Sequence, residues 1–316
     1  SSGINISGTA TDNLLPRLVI DSNTVSGSYQ YNIYTYYTTR IRISRNTLQV
    51  NGPRSTTTYG LYAGYSDTAY QVIGNTVNIR NTTGTVYGIY VYYSDATQLL
   101  PGRIANNRIK AFTGNTGSLY GLSNYYSSYN DVVNNVISIK TSGSTAYGLY
   151  SYQDEFTNYY NNSVLSTATS ATNNAAAYFN PDGFVKLRNN IFSHQAGGNA
   201  LFAYDPDVLN SDYNTFYTTG TNLVRRGTPA ESYANLQLWR DTSNLDLSSI
   251  VYKPAFENDS TLEPAVNIPD VWAIHGRGVQ VPGNDRDIRD SIRPTTLIAG
   301  VPDMGAYEFL PAVIPP

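Results

Sequence analysis

The chain has 316 residues, a net charge of -3, no cysteine, two histidines and 29 tyrosines, and only 14% of its residues are charged. That balance supplies no basic patch for nucleic acid, rules out disulfides and thiolate metal sites, and contains no apolar run near the roughly 18 residues a spanning helix needs. Abundant Tyr, Asn, Ser and Thr with so few charges give a polar, uncharged surface that resembles bacterial cell-surface proteins more than cytosolic enzymes.

Residues 1–22 carry a pre-repeat segment with Ile4, Ile6, Leu18, Val19 and Ile20. From there one phrase recurs: Tyr59-Gly60-Leu61-Tyr62, Tyr87-Gly88-Ile89-Tyr90, Tyr120-Gly121-Leu122-Ser123 and Tyr147-Gly148-Leu149-Tyr150, with looser copies at Tyr31-Asn32-Ile33-Tyr34 and Ala176-Ala177-Tyr178-Phe179. Each copy is followed by an Asn with an apolar residue two places later. These asparagines are Asn23, Asn46, Asn75, Asn107, Asn135, Asn162, Asn190 and Asn214, separated by 23, 29, 32, 28, 27, 28 and 24 residues. A period in the twenties is the mark of a solenoid. Short apolar alternations between Gly, Asn, Asp, Ser and Thr turns make each unit a coil of strands. The first strand is expected to place Tyr59, Leu61 and Ala63 on one face and Gly60, Tyr62 and Gly64 on the other. A second strand contributes Val72, Val77 and Ile79 in one coil, then Ile104, Ile109 and Ala111 in the next. Four extra residues near Gln98-Leu99-Leu100-Pro101 form a bulging loop before Asn107.

Stacked at about 4.8 Å per layer, eight Asn-marked coils make a core of roughly 35 Å. An Asn at one corner of every coil is both donor and acceptor, so its amide is expected to bond to the layers above and below as a ladder. The fold expected is all-β, a parallel β-helix over residues 1–215. Residues 216–310 lose the repeat and are expected to form an irregular cap on the last coils, hiding the open strand edge. Residues 311–316 read as the start of a Pro-rich linker. A chain that begins at Ser1 without a secretion signal reads as a piece of a longer precursor or a processed product.

The Asn-x-Ile/Val repeat with its Tyr-Gly-Ile/Leu-Tyr strands resembles the right-handed parallel β-helix proteins of the pectate-lyase-like superfamily. Ser211-Asp212-Tyr213-Asn214, Trp239 and Pro302-Asp303-Met304-Gly305-Ala306-Tyr307-Glu308-Phe309 are similar to the closing region of secreted Bacteroidota proteins, in which such a segment ends the β-helix ahead of a sorting or anchoring domain. The resemblance implies a right-handed coil and a secreted or cell-surface protein, including cargo of a type IX secretion system. The catalytic motifs of pectate lyases and polygalacturonases are not visible.

Alignment of the coils puts Tyr34, Tyr62, Tyr90, Tyr150 and Tyr178 in one outward column, with Tyr36, Tyr92, Tyr125 and Tyr152 two residues further along the same face. Aromatic faces with polar tips suit sugar rings, so the candidate carbohydrate-binding residues are Tyr34, Tyr36, Tyr62, Tyr90, Tyr92, Tyr125, Tyr150 and Tyr152. Stacked aromatics also stabilise neighbouring strands, and such a face also fits another protein chain. Counting back from each ladder Asn gives a second column: Thr38, Asp67, Asp95, Ser127, Asp154 and Asp182. Carboxylates a layer apart repel unless a cation or a proton intervenes, which makes calcium the one cofactor to consider; turn chemistry explains the same residues without it. The loop Gly283-Asn284-Asp285-Arg286-Asp287-Ile288-Arg289-Asp290 lacks EF-hand spacing and neutralises itself. His194 falls at the position of Ile79 and Ile139 and is expected to face inward; His275 lies in a loop, too far off to share a metal. The functions that remain are a non-catalytic module binding polysaccharide or a cell-surface glycan, a structural spacer or secretion cargo, and a polysaccharide lyase or glycoside hydrolase.

Overall fold

The computed structural model describes residues 2–10, 12–80, 82–114, 117–169 and 173–315; Pro316 of the tail lies outside them. The chain winds into a parallel β-solenoid of about seven turns. Each coil contributes one strand to each of three sheets, as in Thr58–Asp67, Gln71–Ile73 and Thr76–Arg80. Among the described residues the first sheet has 11 strands, the second 8 and the third 9. Among the described residues no helix is long and apolar enough to cross a membrane.

Register converts the sequence period into vertical rows. Ile33, Leu61, Ile89, Leu122, Leu149, Ala177, Leu201 and Val224 lie over one another in the first sheet. Leu48, Val77, Ile109, Ile137, Val164, Phe192 and Phe216 do so in the third. All of these side chains are buried. No coil covers its own apolar face, so neighbouring coils supply the cover and the core is a continuous column.

The corner between the second and third sheets is built the same way eight times. Ser22, Arg45, Gly74, Asn106, Asn134, Asn161, Asn189 and Tyr213 take left-handed φ values between 53° and 68°. The next residue is always a ladder asparagine. From Asn23 to Asn190, each Nδ2 donates to the Oδ1 of the next Asn at 2.9–3.1 Å. Its backbone N–H shares that acceptor, as Asn135 N does at 3.0 Å from Asn162 Oδ1. From Asn46 on, the second amide hydrogen goes back to a carbonyl of the preceding coil, as from Asn135 to Ile104 at 2.9 Å; that of Asn23 goes to the Asp21 carbonyl. The expected ladder is present along its whole length.

Strict alternation in the first strand is not what the structure has. Gly60 points inward beside Leu61, so two successive residues face the core and Tyr59 is turned outward next to Tyr62, with ring centroids 5.3 Å apart. Tyr87, read as equivalent to inward Tyr59, is likewise outside, stacked on Tyr59 at 5.0 Å. The reason is space. A Cβ on Gly88 would lie 2.6 Å from Ile109 Cγ2 of the third sheet, and one on Gly121 would lie 2.5 Å from Ile137 Cγ2. In these central coils only glycine fits where the sheets approach, while Asn32, Ala176 and Ala200 take the same inward position in the outer coils; the doubled inward step shifts the phase by one residue.

Past the last coils, Glu231–Tyr233 pairs antiparallel with Val224–Arg226 at the end of the first sheet. The helix Leu236–Ser243, N-capped by Asn235, buries Trp239, whose Nε1 donates to Asp246 Oδ2 at 2.9 Å. Asp246 Oδ1 also accepts from Ser211 and Ser249 at 2.7 Å and from Asn214 Nδ2 at 3.3 Å. The ladder thus ends on a buried carboxylate, with Ser249 Oγ accepting Asn214 N–H at 2.8 Å.

The rest of the chain returns along the flank of the rod. Asn134 donates to Asn284 Oδ1 and to the Arg286 carbonyl, Asn161 to the Asp303 and Gly305 carbonyls, and Asn189 to the Val279 carbonyl. The Asp303–Glu308 segment fastens this strap. A Cβ on Gly305, at φ +88°, would meet Ser163 Oγ at 2.7 Å. Ala306 N–H bonds to that hydroxyl, Tyr307 donates to the Thr261 carbonyl at 2.6 Å, and Glu308 pairs with buried Arg293 at 2.9 Å. Burial raises the Glu308 carboxyl to about 7. His275 Nδ1 lies 2.8 Å from Asp303 Oδ1, a hydrogen bond that raises the imidazole pKa.

Candidate functional site: the tyrosine face

The outer surface of the first sheet is a net of tyrosines in four files. The first runs Tyr31, Tyr59, Tyr87, Tyr120 and Tyr147. The second runs Tyr34, Tyr62, Tyr90, Ser123, Tyr150 and Tyr178, continuing to Phe202. Tyr36, Gly64, Tyr92, Tyr125 and Tyr152 make the third, and Tyr37, Tyr65, Tyr93 and Tyr126 the fourth. All eight sequence-derived candidates lie in the second and third files. Ser123 and Gly64 each leave out one ring.

Within a file the rings mostly stack along the rod. Tyr59 and Tyr87 are 5.0 Å apart at 7°, Tyr93 and Tyr126 4.6 Å at 5°, and Tyr125 and Tyr152 4.9 Å at 15°. Between the third and fourth files the contacts are edge-on, as at Tyr36–Tyr37, 4.4 Å and 70°, and Tyr92–Tyr93, 4.6 Å and 78°, whereas the second and third files stack on each other, as at Tyr150–Tyr152, 6.0 Å and 7°. Both geometries suit the ring quadrupole. Parallel register alone fixes the spacing, because strands repeat at about 4.8 Å and aromatic rings stack at nearly that distance.

The first and fourth files escaped the sequence reading. The first did so because of the glycine phase shift. The fourth was visible as the doublets Tyr36-Tyr37, Tyr92-Tyr93 and Tyr125-Tyr126, which strict alternation would split between two faces. Tyr37, Tyr65, Tyr93 and Tyr126 instead adopt φ of 53°, 46°, 43° and 49°, and this left-handed step brings each ring onto the same surface as its neighbours.

Stacking has a chemical consequence. Most ring faces are occupied by other rings, so the surface presents ring edges and hydroxyls. Burial pushes the Tyr59 phenol up to about 12 and those of Tyr62, Tyr90 and Tyr150 higher still. These four hydroxyls therefore stay neutral, donating and accepting alike. The tyrosine rows carry no charged side chain from Tyr31 to Tyr152. Asp67, Asp95 and Glu155 border the face at the turn into the second sheet.

The acidic column does not hold together as one row. Thr38, Ser66, Ser94, Ser127 and Asp154 form an inward row, joined by Ser66 N–H to Ser94 Oγ and Ser94 N–H to Ser127 Oγ at 3.0 Å. Asp67 and Asp95 lie outside it as neighbours, with Asp95 N–H 3.4 Å from Asp67 Oδ1. Asp154 is buried and accepts from Tyr159 at 2.6 Å, Asn124 at 3.1 Å and Ser151, whereas Asp182 is exposed. The Thr68-Ala69 turn is one residue longer than the turn at Tyr129, so counting from the ladder slips by one between these coils. Among the described residues no group of three or more His, Asp or Glu side chains is placed to hold a metal. In the 283–290 loop Arg286 pairs with Asp290, and Asp287 accepts from the backbone of Arg289, Ser291 and Glu308.

His194 is buried in register with Ser166 and Thr218, as its position predicts. Its Nδ1 accepts from Gly198 N–H at 3.0 Å, and burial lowers its pKa to about 4, so the ring is neutral. No family model, no curated protein and no solved structure matches the chain.

Proposed function

We propose that this solenoid is a non-catalytic binding rod of a larger secreted or cell-surface bacterial protein, and that its tyrosine face takes a polysaccharide. The observation that carries the reading is the four-file phenol net, uncharged over five successive coils. A flat sheet of ring edges and neutral hydroxyls offers a sugar chain hydrogen bonds in both senses and apolar contact for its C–H groups, without the desolvation penalty of a buried charge. The tyrosine-repeat and Gly-Ala-Tyr-Glu resemblances support placing the chain among right-handed β-helices of the pectate-lyase-like superfamily and closing regions of Bacteroidota surface proteins, including secretion cargo.

A second reading, a stiff spacer, draws on the same stacking: rings that cover one another stabilise the sheet whether or not a ligand is present. A glycan array separates the two. Wild type is expected to bind at least one polysaccharide, and Tyr92→Ala with Tyr125→Ala to lower that binding at least tenfold. No binding by wild type across the array, or no change in the double variant, rejects the tyrosine face as a sugar site and leaves the spacer.

A further inference from the structure

A cleft of about 470 Å³ opens on the second sheet, separate from the tyrosine face. That size is within the range of small-ligand pockets, about 300–1,000 Å³. Its wall is an aromatic row on successive coils, Tyr129, Phe156 and Phe184; the first two rings stack at 4.9 Å and 18°. Its floor is the polar row two residues further on, Asp131, Asn158 and Lys186, held in register by the strands. Asn158 Nδ2 donates to Asp131 at 2.8 Å, and Tyr160 holds the Asn158 Oδ1 at 2.9 Å.

Turn chemistry does not ask for this wall. Tyr129 and Phe156 sit at φ 55° and 51°, where Asn or Gly is favoured. Phe156 is 46% and Phe184 62% exposed, so each forgoes much of the stabilisation a buried Phe gains. The same corner takes φ 53° at Arg40 and 52° at Ala69, so the left-handed step belongs to the coil, and it is the large, exposed aromatics set on this corner that mark the rim as a binding surface. The opposite lip comes from the two places where the repeat is interrupted, Gln98 of the inserted loop and Pro282 of the strap. No other coil has both.

The chemistry selects the occupant. A peptide strand needs a free sheet edge, and the strands under this cleft are paired on both sides. An amphipathic helix needs an apolar floor. A pyranose needs an aromatic platform beside amide, carboxylate and ammonium groups. Asp131 and Lys186 offset each other, so an uncharged sugar fits. We infer that this cleft binds a neutral pyranose unit, stacked on Phe156 and Phe184 and hydrogen-bonded to Asp131, Asn158 and Lys186. The site extends saccharide binding beyond the tyrosine face and shares no residue with it.

Calorimetric titration of the full chain with β-1,4-linked glucose, xylose and mannose hexamers tests the assignment, with circular dichroism to verify folding. Wild type is expected to bind at least one hexamer. Phe184→Ala and Lys186→Ala are each expected to weaken it about tenfold, and Phe184→Trp to retain it. Binding unchanged in both cleft variants overturns the cleft. If Tyr92→Ala with Tyr125→Ala then abolishes binding, the tyrosine face stands alone; if only the cleft variants weaken it, the cleft stands and the tyrosine face does not bind these hexamers. Failure of wild type to bind any hexamer overturns the cleft assignment; the tyrosine reading is then judged by its polysaccharide array.

Discussion

Replacing Asn135 by alanine removes one rung from the middle of the ladder. Asn135 Nδ2 donates to Asn162 Oδ1 at 3.0 Å and to the Ile104 carbonyl at 2.9 Å, while its Oδ1 accepts from Asn107 N–H at 3.1 Å and Asn107 Nδ2 at 3.0 Å. All of these groups are buried, and water does not replace the lost amide. The Asn107 N–H and amide, the Asn162 oxygen and the Ile104 carbonyl each lose a partner, at about 1–3 kcal/mol for a group left wholly unsatisfied. Some retain a second bond, so a loss of roughly 4 kcal/mol is expected. Asn23→Ala is the control. Asn23 is half-buried at the free end, donates to Asn46 Oδ1 and the Asp21 carbonyl, and should cost about 1 kcal/mol. Guanidinium unfolding followed by circular dichroism measures both. Equal costs at the two positions would refute the view that the buried amides act as a cooperative column.

Four further outcomes are expected. Gly121→Ala should destabilise by more than about 2 kcal/mol, because its Cβ would lie 2.4 Å from the Gly148 carbonyl oxygen, whereas Gly114→Ala, with no atom within 4 Å, should be nearly silent in the same assay. Asp154 has its pKa raised by burial from 3.8 to about 6, so the folded state holds the proton more tightly than the unfolded chain. The stability this lends is complete below about pH 3.8 and is lost as pH rises through 6, a change of ~3 kcal/mol that Asp154→Asn should remove from the stability–pH curve. Glu308, raised to about 7, adds a slope of the same sign, so adding Glu308→Gln should remove a further part of the dependence. Absorbance at 295 nm should show the buried phenols of the second file, Tyr62, Tyr90 and Tyr150, un-ionised at pH 10.5 in the folded protein and titrating near 10 when it is denatured; full ionisation of the native protein at that pH would contradict the stacked net.

The sequence made the coil period, the ladder asparagines and the inward position of His194 legible because each repeats a residue type at a fixed register. It also placed the second and third tyrosine files. It hid the first file because strict alternation ignores the glycine step, where the third sheet leaves no room for a Cβ. The fourth file needed left-handed aromatics, a conformation that residue type argues against. The acidic column failed for a similar local reason, a turn one residue longer at Thr68-Ala69 than at Tyr129. The cleft at Phe156 and Phe184 depends on the strap reaching Pro282 back along the rod, a contact with no periodic signal.

Register is most directly measured by cross-linking in a chain that has no cysteine of its own. In the structure Tyr62 and Tyr90 are direct partners on adjacent parallel strands, whereas Tyr62 and Tyr92 are offset by two residues. Tyr62→Cys with Tyr90→Cys should oxidise readily to a disulfide, since neighbouring strands lie about 4.8 Å apart and disulfides bridge Cα separations of roughly 4.4–6.8 Å. Tyr62→Cys with Tyr92→Cys, a diagonal pair at roughly 7–8 Å, should stay largely reduced. Faster closure of the offset pair, or no closure of either, would contradict the stacked files on which the tyrosine face depends.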